Sequence, residues 1–196
     1  SHRYRIDASS RVIADMPATM PAVARDVIVD GVSLANAVIM YGLNFIGEPS
    51  TALFRKRDFD LRPHMDEIRP FNFNGEEVRG AIDFAMWSRL LVQGNAAFLH
   101  ERLSRFRIHE EQAQARSDVI ARSIEGMRGL QRQWIELGLF RRTPPHLLRV
   151  KPLVPGAPIP DDWSLEPVLL LPPVAVRPEE AVRAWRATQR HPFDLS

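Results

Sequence analysis

Cysteine is absent from the 196 residues, which excludes disulfides and thiolate zinc sites and fits a reducing compartment. Lysine is nearly absent: Lys56 and Lys151 are the two examples, so almost all 26 basic side chains are arginines. They face 24 acidic residues, for a net charge of +2. Basic and aromatic residues are not gathered on one segment, so no nucleic-acid partner is expected. No apolar run approaches the roughly 18 residues of a membrane span. The opening SHRYRIDASS is no signal peptide, and no transmembrane segment is expected. No initiator Met is present, and Ser1-His2 reads as a tag remnant, which leaves open that the sequence is a piece of a longer protein. There is no Gly-rich phosphate loop, no Gly-x-Ser-x-Gly elbow and no internal repeat. His2, His64, His100, His146 and His191 show no metal-ligand spacing.

What is present suits one globular domain with an appendage: 45% of residues are apolar, enough for a proper core. Residues 4–15 alternate weakly and predict strand, turn and strand. Residues 33–42 predict a short helix capped by Ser33 and stopped by Gly42. Residues 50–56 predict a strand. Within 76–94, Ile82, Met86, Leu90 and Leu91 recur at helical spacing and predict a helix over 79–92. Residues 95–109 predict two short strands around a corner. In 118–138 an apolar stripe of Ile120, Ile124, Met127, Leu130, Trp134 and Leu137 predicts the longest helix. From 143 onward the chain is dense in proline, which predicts either extended chain packed on something or a linker. Residues 178–190 predict a last short helix.

One stretch asks for more than a turn. In YGLNFIGEPSTALFR, residues 41–55, apolar shoulders flank Gly47-Glu48-Pro49-Ser50. Glycine permits backbone angles closed to other residues and lets a ligand approach the main chain. Pro49 biases Glu48 to an extended conformation. Apolar shoulders would hold such a bend rigid, as a preorganised site requires; a plain helix-to-strand turn is the competing reading.

Together, YRIDASS, NFIGEPSTALFRKRDF and AIDFAMWSRLLVQGNAAFLHERLSRFRIHEEQ, covering with the following helix roughly residues 3–140, resemble the C-terminal half of bacterial family-2-type glycosyltransferases of the GT-A fold. The resemblance implies an inverting transfer of sugar from a nucleotide sugar to a hydroxyl of a sugar or protein acceptor, as in surface polysaccharide synthesis or protein glycosylation. It implies that Gly47, Glu48 and Pro49 shape the donor-sugar and acceptor pocket, that Asp83 is the catalytic base, and that His109 helps bind metal or diphosphate. It implies a divalent metal, manganese or magnesium, in the full-length enzyme, with none expected on the isolated fragment. The nucleotide-binding half, with its metal-holding Asp-x-Asp, would precede residue 1. Asp58-Phe59-Asp60 and His64-Met65-Asp66 resemble such a motif only formally. The location implied is cytoplasmic, with a membrane-peripheral one open.

Each residue also has a plainer reading. Asp83 is placed to cap a helix, and a cap and a base can share one carboxylate. Trp87, one helical turn on, can wall a sugar pocket or pack in the core. Arg107 can face phosphate. His109 can be an edge-strand histidine beside Glu110 and Glu111. The expected fold is a mixed α/β (α+β) fragment, the C-terminal part of a GT-A-like domain. A small mixed sheet would carry 4–15, 50–56 and 95–109, flanked by helices at 33–41, 79–92 and 117–137. Residues 1–142 form the acceptor-side half and 143–196 a Pro-rich extension. The competing class of function is a non-catalytic interaction module or homodimer, using the long helix and the proline-rich tail.

Overall fold

The hairpin expected over 4–15 forms: β1 (His2–Ile6) pairs antiparallel with β2 (Val12–Asp15). Its turn is built by Asp7, whose Oδ1 accepts the N–H groups of Ser9 and Arg11, both at 2.9 Å. The computed structural model describes residues 1–16, 19, 23–58, 72–73, 75–109 and 117–168. On its other side β1 pairs in parallel with β7 (Arg102–Arg107), giving a sheet of order β2-β1-β7. Because β1 is the central strand, even its polar His2 and Arg3 are buried. His2 is thus no loose appendage: its Nδ1 lies 2.7 Å from the Thr19 carbonyl oxygen, and its Nε2 lies 3.5 Å from Asp15.

A second, fully antiparallel sheet has the order β6-β3-β8-β9, from β3 (Val27–Val29), β6 (Ala96–Phe98), β8 (Leu147–Pro152) and β9 (Ser164–Pro167), and β4 (Asn72–Phe73) with β5 (Glu76–Glu77) forms a separate two-stranded antiparallel ribbon. Two expectations are corrected here. The strands within 95–109 join different sheets, and residues 50–56 form no strand. Residues 49–51 make a 3-10 turn and 56–58 another, with chain outside any ladder between them. Asp58 of the first formal Asp-x-Asp pairs with Arg55 at 3.0 Å; Asp60 and residues 64–66 lie outside the described residues. Past residue 143 the described chain joins the second sheet. β8 lies between β3 and β9, and its Leu148 and Val150 are fully buried. Pro152 stands at the strand's last position, where its missing N–H costs least. The helix expected over 178–190 lies outside the described residues.

Between strand and helix, Asp30 accepts the Ser33 N–H at 2.9 Å and so caps α1 (Gly31–Tyr41). Asp30, not Ser33, is the cap; the Ser33 hydroxyl instead accepts from Arg149 N–H of β8 at 2.9 Å. α1 is buried almost all round, as a helix at the centre of a core must be. α2 (Ile82–Leu91) packs on it through Ala85, Met86 and Leu91. α3 (Ser117–Glu136) reaches the core through Leu130 and Trp134. The Trp134 indole donates to Asn36 Oδ1 at 2.5 Å, and Asn36 Nδ2 donates to the Thr143 carbonyl at 2.8 Å, so one buried amide ties α1 to α3 and the chain beyond. α3 can approach the chain entering α2 because residue 126 is glycine: a Cβ there would sit 2.0 Å from the Arg79 carbonyl oxygen. Among the described residues no helix is long and apolar enough to cross a membrane.

Candidate active site around Asp83 and the glycine bend

The bend begins where α1 ends. Gly42 closes the helix in a left-handed conformation, and Phe45 then anchors the chain in the core. Asn44 folds the next residues back on themselves. Its Oδ1 accepts the Gly47 N–H at 2.9 Å, and its Nδ2 donates to the Gly47 carbonyl at 3.1 Å. Gly47 has φ +97°, and a Cβ there would lie 2.7 Å from Thr51 Oγ1 and 3.2 Å from an Arg3 nitrogen. The backbone angle favours glycine here, and a side chain would also have to displace the Thr51 hydroxyl. Thr51 closes the turn, its hydroxyl donating to the Glu48 carbonyl at 2.8 Å.

Two elements grip this bend, and the bend in turn reaches α2. From β1, the buried Arg3 guanidinium pairs with the Glu48 carboxylate. From α2, the Trp87 indole N–H donates to the Gly47 carbonyl at 2.9 Å. From the bend itself, the Asn44 amide reaches Asp83 Oδ2 at 2.6 Å. Asp83 lies in the first turn of α2, where a carboxylate is favoured by the helix dipole. It is not the N-cap: Ala81 holds that position, and Asp83 Oδ1 accepts the Phe84 N–H at 3.0 Å. Burial holds the Asp83 carboxyl above the usual carboxylate range, opposed by the hydrogen bonds from backbone N–H groups and Asn44.

Asp83, Glu48 and Pro49 line one groove of about 800 Å³, whose far wall is α3, with Ile120, Ile124, Met127 and Arg128. The groove thus brings together Glu48, Pro49 and Asp83, while Gly47 sits in the bend behind them, its carbonyl held by Asn44 and Trp87, and does not line it. The structure does not bring the other three candidates there. Trp87 is buried and lines a separate cavity of about 550 Å³ with Ile46 and Phe54. Its indole is core packing and a clamp on the bend, not a wall of the Asp83 groove. Arg107 donates to the carbonyls of Asp7 and Ala8, at 2.9 and 2.8 Å, and to Ser10 Oγ at 2.9 Å. Its guanidinium holds the β1–β2 turn. His109 is exposed beyond the end of β7 and does not line the groove.

A divalent cation needs several oxygen or nitrogen ligands. Among the described residues no group of three or more His, Asp or Glu side chains converges. Glu110 and Glu111 lie outside the described residues.

Two residues of the cluster carry no prior signal as site residues. Asn44 stands three positions before Gly47, a spacing at which an Asn side chain folds a turn, and that much was readable. Arg3 meets Glu48 across 45 residues of sequence, and nothing local marks it. No protein-family model matches this chain, and neither the curated proteins nor the solved structures contain a significant match to it.

Proposed function

We propose that the groove is the acceptor site of an inverting glycosyltransferase and that Asp83 is its general base. In such a step the acceptor hydroxyl gives its proton to an Asp83 oxygen, and the acceptor oxygen bonds to the anomeric carbon. The bond from that carbon to the diphosphate breaks, its electron pair leaving with the diphosphate. The observation that carries this reading is the meeting of Asp83 and Glu48 in one groove, joined through the glycine bend. Burial supports it further, since a carboxyl held above its usual range is a better base near neutral pH. On this reading the donor half and any metal are supplied from outside these 196 residues, the chain alone is inactive, and the setting is cytoplasmic or membrane-peripheral.

The test is nucleoside diphosphate release from a panel of nucleotide sugars by the full-length protein, with and without Asp83→Asn. A fall of about 10²- to 10⁴-fold is expected for loss of a general base. Undiminished turnover removes Asp83 from the mechanism. One observation favours a second reading, the non-catalytic interaction module: Ile120 and Ile124 on α3 are 47% and 49% exposed, an apolar edge that a second copy or a partner would cover. Light scattering on the isolated chain, with nucleotide-sugar binding measured on the full-length protein, separates the two: a clean dimer favours the module, whereas a monomer whose full-length form binds nucleotide sugar opposes it.

A further inference from the structure

The residue that links the bend to the carboxylate is neither of the acids but the amide between them. The orientation of the Asn44 side chain is fixed by chemistry. Its Oδ1 must be the oxygen, because it receives the Gly47 N–H at 2.9 Å. Its Nδ2 therefore carries the two protons, one toward Asp83 Oδ2 at 2.6 Å and one toward the Gly47 carbonyl at 3.1 Å. The Gly47 carbonyl is in turn held by the Trp87 indole at 2.9 Å, so the bend cannot rotate without breaking a buried hydrogen bond. One short side chain thus reads the position of the bend and imposes it on the Asp83 carboxylate.

We propose that Asn44 is the positioning residue of this site: through its amide, locked to the Gly47 backbone, it fixes the direction of the Asp83 carboxylate at the groove. The role rests on the reading of Asp83 as a base, but its test does not. Other charges facing the same groove are Glu48, held by Arg3 from β1, and Arg128 from α3. Neither is hydrogen-bonded to Asp83, whereas Asn44 is. Burial favours the protonated acid, and a donor at 2.6 Å favours the carboxylate. Removing the donor leaves burial unopposed on that oxygen.

The experiment is a carboxyl ¹³C NMR titration of Asp83 in the wild-type chain and in Asn44→Leu, Asn44→Asp and Trp87→Phe, with amide spectra as the check on folding. In Asn44→Leu, Asp83 should bind its proton about tenfold more tightly, the effect of losing one charge-assisted hydrogen bond. Asn44→Asp is the informative variant should the leucine chain not fold. It keeps the shape and the acceptor for the Gly47 N–H, yet sets a second carboxyl against Asp83. The pair should then titrate in two steps, the upper one above the wild-type Asp83 transition. Trp87→Phe releases the bend from α2 but leaves the Asn44–Asp83 bond, and should not move the titration. Identical Asp83 titration in wild type and Asn44→Asp overturns the proposal. So does a Trp87→Phe shift as large as that of Asn44→Leu, since the bend as a whole would then set the carboxyl. In the full-length protein the acid limb of the kcat/KM profile should follow the Asp83 shift. A shifted titration with turnover unaffected by Asp83→Asn keeps Asn44 as the positioning residue and removes Asp83 as the base.

Discussion

Glu48→Ala is the perturbation whose size the structure sets best. The Arg3 side chain is 3% exposed and that of Glu48 33%. Arg3 also lies 5.1 Å over the Phe106 ring, and its Nε has no hydrogen-bond partner among the described residues. Glu48 is therefore the principal compensation for a guanidinium that water cannot reach. Breaking a fully buried pair from one side costs about 3–5 kcal/mol, because a charge is left uncompensated. Glu48 is a third open to solvent, so water softens the loss, and we expect about 2–3 kcal/mol. The reverse truncation, Arg3→Met, strands a carboxylate that can rehydrate and should cost about 1–2 kcal/mol. The decisive comparison is the double variant. Adding Arg3→Met to Glu48→Ala removes the stranded charge, so the double variant should be more stable than Glu48→Ala alone. Urea unfolding followed by circular dichroism gives all four values, with the slope expected to stay constant. A Glu48→Ala loss below about 0.5 kcal/mol, the range of ordinary surface changes, or strictly additive losses, would refute a buried ion pair anchoring the bend.

Gly126→Ala sets helix propensity against packing: alanine gains about 1 kcal/mol in a helix, but its Cβ would lie 2.0 Å from the Arg79 carbonyl oxygen. Backbone cannot give way cheaply, so a net loss of about 1–3 kcal/mol is expected in the same urea assay. Asp83 holds its proton to higher pH folded than unfolded, where the ordinary value is 3.8. Its burial cost is thus present above the folded value and relieved as pH falls through it toward the unfolded value of 3.8. Asp83→Asn should accordingly be more stable than wild type at pH 7, the gap narrowing toward pH 4; a gap constant with pH would refute it. His2 is buried and its imidazole is held below its ordinary 6.5 by desolvation. The unfolded chain therefore takes up that proton first, and stability should fall as pH drops below about 6.5, a slope that His2→Gln removes.

The helices were legible because each carries its own signal. α2 and α3 show apolar residues at 3.6-residue spacing, and α1 ends at a glycine that takes the conformation such a stop requires. The hairpin of β1 and β2 was legible for the same local reason. Strands that depend on distant partners were not. β3 is three residues long and is followed, after Asp30, by α1; it becomes a strand because β6 and β8 lie on either side of it. β8 is hidden in a proline-dense stretch, yet none of its buried residues is proline. Conversely, residues 50–56 carry the apolar run Ala52-Leu53-Phe54 but enter no ladder, and an apolar run without a partner strand does not make one.

The candidate site divides along the same line. Gly47, Glu48 and Pro49 were legible together because they are contiguous, and Asp83 because it opens a helix. Arg107 and His109 were drawn to the site by their chemistry and their position at a strand end, and neither lines the groove. Arg107 follows Phe106 on an edge strand, so its side chain meets the carbonyls of the neighbouring turn before it can meet any groove. A guanidinium that donates three hydrogen bonds to that turn would have to break them to bind phosphate. Arg3 shows the converse: buried in a central strand, it can be compensated only by a carboxylate from elsewhere in the fold, and the bend supplies one. The charge that fixes Glu48 thus comes from the sheet, while the amide that fixes Asp83 comes from the bend. For that reason the two acids keep a defined relation to each other only when both sheet and helix are in place.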